Sequence, residues 1–129
     1  MYRQRTLDFE VMVEPVFLPD QSQPDEGRWV WAYRVVVRNE SAAAARLVSR
    51  HWEITDANGR METVDGPGVI GQTPRLGPGD SFEYHSGCPL PTASGTMQGH
   101  YTMVADDGAR FDIAIPPFSL DPPDERTLN

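Results

Sequence analysis

The chain has 129 residues, with 11 basic side chains against 19 acidic ones, a formal net charge of −8 at pH 7 and 39% hydrophobic residues. A chain of this size buries roughly two thirds of the surface that its unfolded form exposes, enough for one core without a metal or disulfide staple. Its acidic balance repels nucleic-acid phosphates and anionic lipid, which excludes nucleic-acid binding as a reading.

The single cysteine, Cys88, has no internal disulfide partner. The opening residues lack the apolar stretch of a secretory signal, and the longest uncharged apolar run, Trp29 to Tyr33, is far below the ~18 residues of a spanning helix. A cytoplasmic location without membrane insertion is the expectation. Asn39-Glu40-Ser41 matches the glycosylation sequon, which has no use in that compartment.

Alternation of apolar and polar residues with period two dominates, so the strand template fits repeatedly. Phe9, Val11 and Val13 begin the series, with Pro15 and Pro19 bounding that strand or confining it to an edge. From Arg28 to Asn39, Trp29, Trp31, Tyr33, Val35 and Val37 share the better core face. Ser41 to Ala45 favours helix by propensity, but five residues are too few, and the run reads as a connecting turn. Arg46 to Asp56 alternates again, with Val48, Trp52 and Ile54 on one side and Leu47, Ser49, His51, Glu53 and Thr55 on the other. Asp56-Ala57-Asn58-Gly59-Arg60 predicts a hairpin that pairs Met61 to Val64 back onto it. Gly66 to Gly79 reads as loop with at most one short extended piece. Ser81 to Ser86 forms a further strand, Met97, Gly99, Tyr101 and Met103 lie on one face of the next, and Asp106-Asp107-Gly108 turns it into Phe111, Ile113 and Ile115. Pro116-Pro117 is expected to stop that last strand.

About seven strands with regular turn signals predict an all-β fold, an antiparallel β-sandwich of the immunoglobulin or fibronectin type III kind. Residues 1–129 are read as one domain with its core at about 9–118, and 119–129 as an extended C-terminal tail.

Several pieces occur in a distinctive order: Gln21-Ser22-x-Pro24, Trp31-Ala32-Tyr33, Arg50-x-Trp52-x-Ile54-Thr55, Gly66-x-Gly68-Val69-x-Gly71 with Pro74, and Pro78-Gly79. Tyr84-x-Ser86-Gly87, Gly95-x-Met97-x-Gly99-x-Tyr101 and Ile115-Pro116-x-Phe118 follow. In this order the chain resembles the ApaG family, small bacterial proteins whose domain also occurs in certain eukaryotic F-box proteins. The resemblance implies a fibronectin-like sandwich and a loose association with cobalt resistance and magnesium efflux. It carries over no catalytic residues.

Four chemistries were weighed on the residues themselves. Gly66, Gly68 and Gly71 fit G-x-G-x-x-G, whose chemistry needs a helix N-terminus after the loop, and the prolines and glycines from Pro74 to Gly79 forbid one. A small backbone nest assisted by Arg60 or Arg75 is what remains of a phosphate reading. His51, His85, His100 and Cys88 are the available nitrogen and sulfur ligands. Only His85 and Cys88 are close in sequence, and on a strand they fall on opposite faces. A calcium loop at Asp56-x-Asn58-Gly59 lacks its third ligand and distal glutamate. Nucleophilic catalysis has no G-x-S-x-G and no base near Cys88.

The expected function is therefore a non-enzymatic module, without a cofactor, that binds a protein partner or regulates cation physiology indirectly. Its candidate interaction patch is Arg50 with Trp52. The alternative is a site for phosphate, pyrophosphate or a divalent cation, extending to hydrolysis of a phosphorylated substrate. A homodimer through an exposed edge strand is compatible with either.

Overall fold

The computed structural model describes residues 1–122 and contains nine strands. These are β1 (Tyr2–Thr6), β2 (Phe9–Phe17), β3 (Trp29–Asn39), β4 (Ala45–Asp56), β5 (Met61–Pro67), β6 (Arg75–Leu76), β7 (Ser81–Leu90), β8 (Gly95–Ala105) and β9 (Arg110–Leu120). They form two antiparallel sheets, one ordered β1-β2-β3-β7 and the other β5-β4-β8-β9, with the short β6 pairing on β4 beyond β5. The sandwich architecture is as expected, with β1 and β6 added to the expected strands.

β1 carries no turn signal in the sequence, because its turn has no glycine or asparagine. Leu7 and Asp8 take the two left-handed positions between Thr6 and Phe9, at φ 49° and 63°. A two-residue hairpin turn of this twist demands positive φ at both central residues, and sequence patterns look for Asn-Gly there. Pro15 fits β2 because β1 pairs only with Phe9 to Val13, so Glu14 to Phe17 form a local edge where a missing N–H is harmless.

Two irregularities set the core. β4 carries one extra residue against β8 between Leu47 and Ser49, a β-bulge that leaves Val48 unmatched. Before it, Ala45 and Leu47 face inward, and after it Trp52 does. Leu47 and Trp52 thus share the core, which corrects the expectation that they lie on opposite sides. The second bulge lies in β9, where Met97 pairs with Phe118 and Gly99 with Ile115. Pro116 and Pro117 sit in it, and the strand continues to Leu120 instead of stopping. An edge strand tolerates two residues without N–H groups where a bulge has already interrupted the ladder.

The core between the sheets is built from alternate residues of the long strands, with Trp31, Val35, Leu47, Tyr101, Ile113 and Leu120 all shielded from solvent. Asn39 is its one fully buried polar residue among those described, and its amide is completely used. Nδ2 donates to the carbonyls of Ala43 and Leu76, both at 2.9 Å, while Oδ1 accepts from the Ser41 N–H and hydroxyl. The sequon is therefore part of a structural corner that locks the β3–β4 turn to β6. The Asp56 hairpin forms as expected, with the Asp56 carboxylate accepting from the Asn58 and Arg60 amides. The expected tail is described only as far as Pro122, where the Trp31 indole N–H donates to the Asp121 carbonyl at 3.0 Å. The rest of it lies outside the described residues.

Candidate functional site

The two sheets close on one flank and stay open on the other. At the open flank the edge strands β5 and β7 do not pair, and a cleft runs between them. Its larger hollow, about 490 Å³, lies toward the Asp56 hairpin and is lined by Arg28, Asp56, Arg60, Glu62 and Leu90 among others. A smaller hollow, about 240 Å³, lies toward the glycine loop, and Ile54 lines both. Tyr33, Arg50, Trp52, Val64, Tyr84 and Ser86 contribute to the smaller one.

Arg50 reaches this hollow because of the bulge at Val48, which puts it, with Trp52, on the same side of β4 as Leu47. It pairs with Gly66 on β5 and with Tyr101 on β8. A Cβ at Gly66 would stand 2.9 Å from the Arg50 guanidinium nitrogens, so a larger residue there would make the guanidinium shift from its present seat. Nη1 then donates to the carbonyls of Pro67 and Gly68, both at 3.0 Å. Gly68 has φ +55°, and a Cβ on it would strike the Gln72 carbonyl oxygen at 2.0 Å.

The glycine spacing is thus explained by packing. Three of the loop's amides are already occupied: Gly68 N–H donates to Val48 O at 2.7 Å, Val69 N–H to Gln72 O at 2.8 Å, and Gln72 N–H to Val69 O at 2.9 Å. No helix follows the loop, which leads into β6. Arg75 points away, with its guanidinium on Asp106 across the loop. Val69 is fully buried, whereas Ile70 is 56% exposed at φ 42°, an unfavourable backbone state for a β-branched residue at the mouth of the hollow.

Trp52 is 3% exposed and packs edge-on against Tyr33, Tyr101 and Phe118, so it supplies the floor of the cleft instead of protruding from it. Opposite it, the Tyr84 and Tyr101 hydroxyls hydrogen-bond to each other at 2.5 Å. Burial raises the pKa of both phenols, and of Tyr33, where Ser86 and Arg50 oppose the rise. All three therefore stay neutral donors at physiological pH. The hydroxyls of Tyr33, Tyr84 and Ser86 carried no signal of their own in the sequence; their inward parity on β3 and β7 was the only clue.

Cys88 also lines the cleft, but burial, with the Glu62 charge adding to it, pushes its thiol up to about 11. A protonated thiol is a poor nucleophile and a poor metal ligand. His85 lies on the outer face of β7, beside Glu83 at 3.5 Å, so strand parity separates it from Cys88. Among the described residues no group of three or more His, Cys, Asp or Glu is arranged to hold a metal ion. On the outer face of the second sheet His51 stacks on His100, with ring centroids 5.0 Å apart. The His51 imidazole also contacts Asp65 at 2.6 Å and Glu53 at 3.1 Å. Asp65 first, then Glu53, raises its pKa.

These features define a nine-stranded, fibronectin-like sandwich with a hydroxyl- and arginine-lined cleft at one flank. The chain belongs to the ApaG family: the family model for the ApaG domain matches residues 19–105. It is 59% identical over 130 residues to Protein ApaG of Allorhizobium ampelinum and 58% identical to that of Sinorhizobium fredii, each alignment covering all of both chains. The crystal structure of the putative ApaA protein from Bordetella pertussis superposes with a TM-score of 0.88 at 46% identity, covering 91% of this chain and 95% of that one. Among the described residues, no helix is long and apolar enough to cross a membrane.

Proposed function

We propose that this protein is a non-enzymatic cytoplasmic recognition module that takes an extended segment of a protein partner into the cleft between β5 and β7. One observation carries the reading: two strand edges without partners flank a hollow floored by core aromatics. An unpaired edge offers main-chain donors and acceptors to an added strand, and a hollow beside it selects side chains. Each edge is also guarded against indiscriminate pairing, β5 by Glu62, Asp65 and Pro67 and β7 by Glu83 and Pro89. Guarded edges beside a formed hollow favour a selective partner over general stickiness. The patch centred on Arg50, with Trp52 beneath it, is the selective end of this surface. The cobalt and magnesium association of the family then acts through the partner: Cys88 and His85 fall on opposite faces of β7, and no group of three or more His, Cys, Asp or Glu among the described residues is arranged to hold a metal ion.

The test is selection of peptides from a random library on the folded protein, followed by amide hydrogen exchange of the complexes. Enriched peptides should slow exchange along β5 or β7. Failure to enrich any sequence, or protection confined to the outer sheet faces, would rule the reading out. Protection of the same edges on raising the protein concentration alone would instead identify a second copy of the chain as the partner.

A further inference from the structure

Among the described residues, Arg50 is the only charged side chain lining the smaller hollow; the others are apolar, hydroxyl-bearing, a glycine or a neutral thiol. No carboxylate of the described residues forms an ion pair with it, whereas Arg5, Arg34 and Arg75 each have acidic partners. Its Nη1 is committed to the Pro67 and Gly68 carbonyls, which leaves Nε and Nη2 without an acceptor among the described residues. That pair of N–H groups is the edge of a guanidinium that meets a carboxylate with two parallel hydrogen bonds. A half-buried cation without a counter-ion is costly, and a protein of net charge −8 has ample acids that could have supplied one.

The size and polarity of the hollow narrow the ligand. Its volume of about 240 Å³ exceeds the roughly 150 Å³ of an apolar cavity that accepts benzene. Val64, Ile70 and Met97 give it apolar walls, and the Tyr33 and Ser86 hydroxyls add neutral donors. A phosphate dianion fits poorly, since it would bring a second charge to a single cation and find the Gly68, Val69 and Gln72 amides already bonded.

We propose that the smaller hollow binds a monoanionic carboxylate carried on one apolar group, with the carboxylate on the Nε–Nη2 edge of Arg50 and the apolar group against Val64, Ile70 and Met97. The carboxylate can come from a free small acid or from the C-terminus of a segment lying in the cleft. The inference rests on the preceding reading only in placing its ligand in the same cleft.

Amide-shift titrations with 3-phenylpropionate, its primary amide, phenylphosphonate and inorganic phosphate test the chemistry. Peptides ending in phenylalanine, with free or amidated C-termini, test the source. The acid should give saturable shifts centred on Val64, Ile70 and Tyr84, with the amide about tenfold or more weaker, as loss of a charge-assisted hydrogen bond implies. Arg50→Gln should abolish the preference for acid over amide, and Arg75→Gln should leave it unchanged. Val64→Trp, on an exposed edge strand, should fill the hollow and block both ligands; it serves as the readout if Arg50→Gln does not fold. Absence of saturable shifts, equal binding of acid and amide, tighter binding of the phosphonate, or a preference that survives Arg50→Gln would each overturn the proposal. If the acids do nothing and Arg50→Gln drives self-association, Arg50 is an edge guard only. A free acid that binds while no peptide does would sustain this inference and sink the peptide reading. Peptides that bind equally with free and amidated ends, while the free acid and its amide also bind equally, would do the reverse.

Discussion

The two flanks of the sandwich solve the same problem in opposite ways. Where β1 meets β9, side chains from one sheet bond the backbone of the other: the Ala114 N–H donates to the Thr6 hydroxyl and the Ser119 N–H to the Tyr2 hydroxyl, while Tyr2 packs on Phe118. Where β5 meets β7 the edges remain apart, β5 is exposed along almost its whole length, and Arg50 stands where the other flank has aromatic contacts. Sealing one flank gives the fold the stability that lets the other stay unfilled. The proposed recognition surface thereby lies on the side where an unfilled hollow costs the core least.

The largest expected effect compares the flanks directly. Ile113→Ala on the sealed side removes a fully buried side chain and should cost about 2–5 kcal/mol, whereas Val64→Ala on β5, where the residue is 38% exposed, should cost less than about 1 kcal/mol. Urea unfolding of both variants checks this, and equal losses would erase the distinction. Next comes Gly68→Ala. Its positive φ and the collision with the Gln72 carbonyl should cost about 1–3 kcal/mol and unseat Arg50, so acid binding should fall together with stability.

Removing one hydroxyl of the Tyr84–Tyr101 pair should cost about 1–2 kcal/mol. The double Phe variant should cost less than the sum of the singles, because each single change strands its partner's hydroxyl. Additive losses would show that the pair is not coupled across the sheets.

The smallest effect is a pH dependence on the open flank. Asp65, and after it Glu53, holds the His51 pKa above its ordinary value of 6.5. A pKa raised on folding adds stability that is fully present below the unfolded value and is lost as pH rises through the folded one. Asp65→Asn should therefore lower the pKa of His51 in a proton NMR titration and flatten the stability profile above pH 6.5. An unchanged titration would mean that Asp65 does not hold the imidazole in solution.

The long strands were legible because alternation and punctuation agree: Trp31 to Val37 face inward as their spacing says, and Asp56 and Asp106-Asp107-Gly108 turn the chain where expected. The departures in the facing of β4 and the extent of β9 share one cause. Parity is a local rule that one extra residue defeats, and neither Val48 in β4 nor the proline pair in β9 announces itself as a bulge. That Arg50 and Trp52 line one hollow was legible from their i, i+2 spacing on a strand. Their meeting with Tyr33, Tyr84 and Ser86 was not, because it depends on how two sheets with no local pairing between them come together. The glycine motif misleads for a related reason: glycines that admit a pyrophosphate and glycines that admit a guanidinium leave the same letters.

The extra residue at Val48 also makes the reading frame of β4 part of its chemistry. Deleting it would leave Leu47 opposite Met103 and Ser49 opposite Thr102, a regular ladder in which Arg50 and Trp52 keep their inward aim. Were Val48 instead absorbed into the ladder opposite Thr102, every later residue would change face, and His51 would enter the cleft while Arg50 and Trp52 turned out to water. The bulge thus decides which side chains the cleft presents without the substitution of a single lining residue.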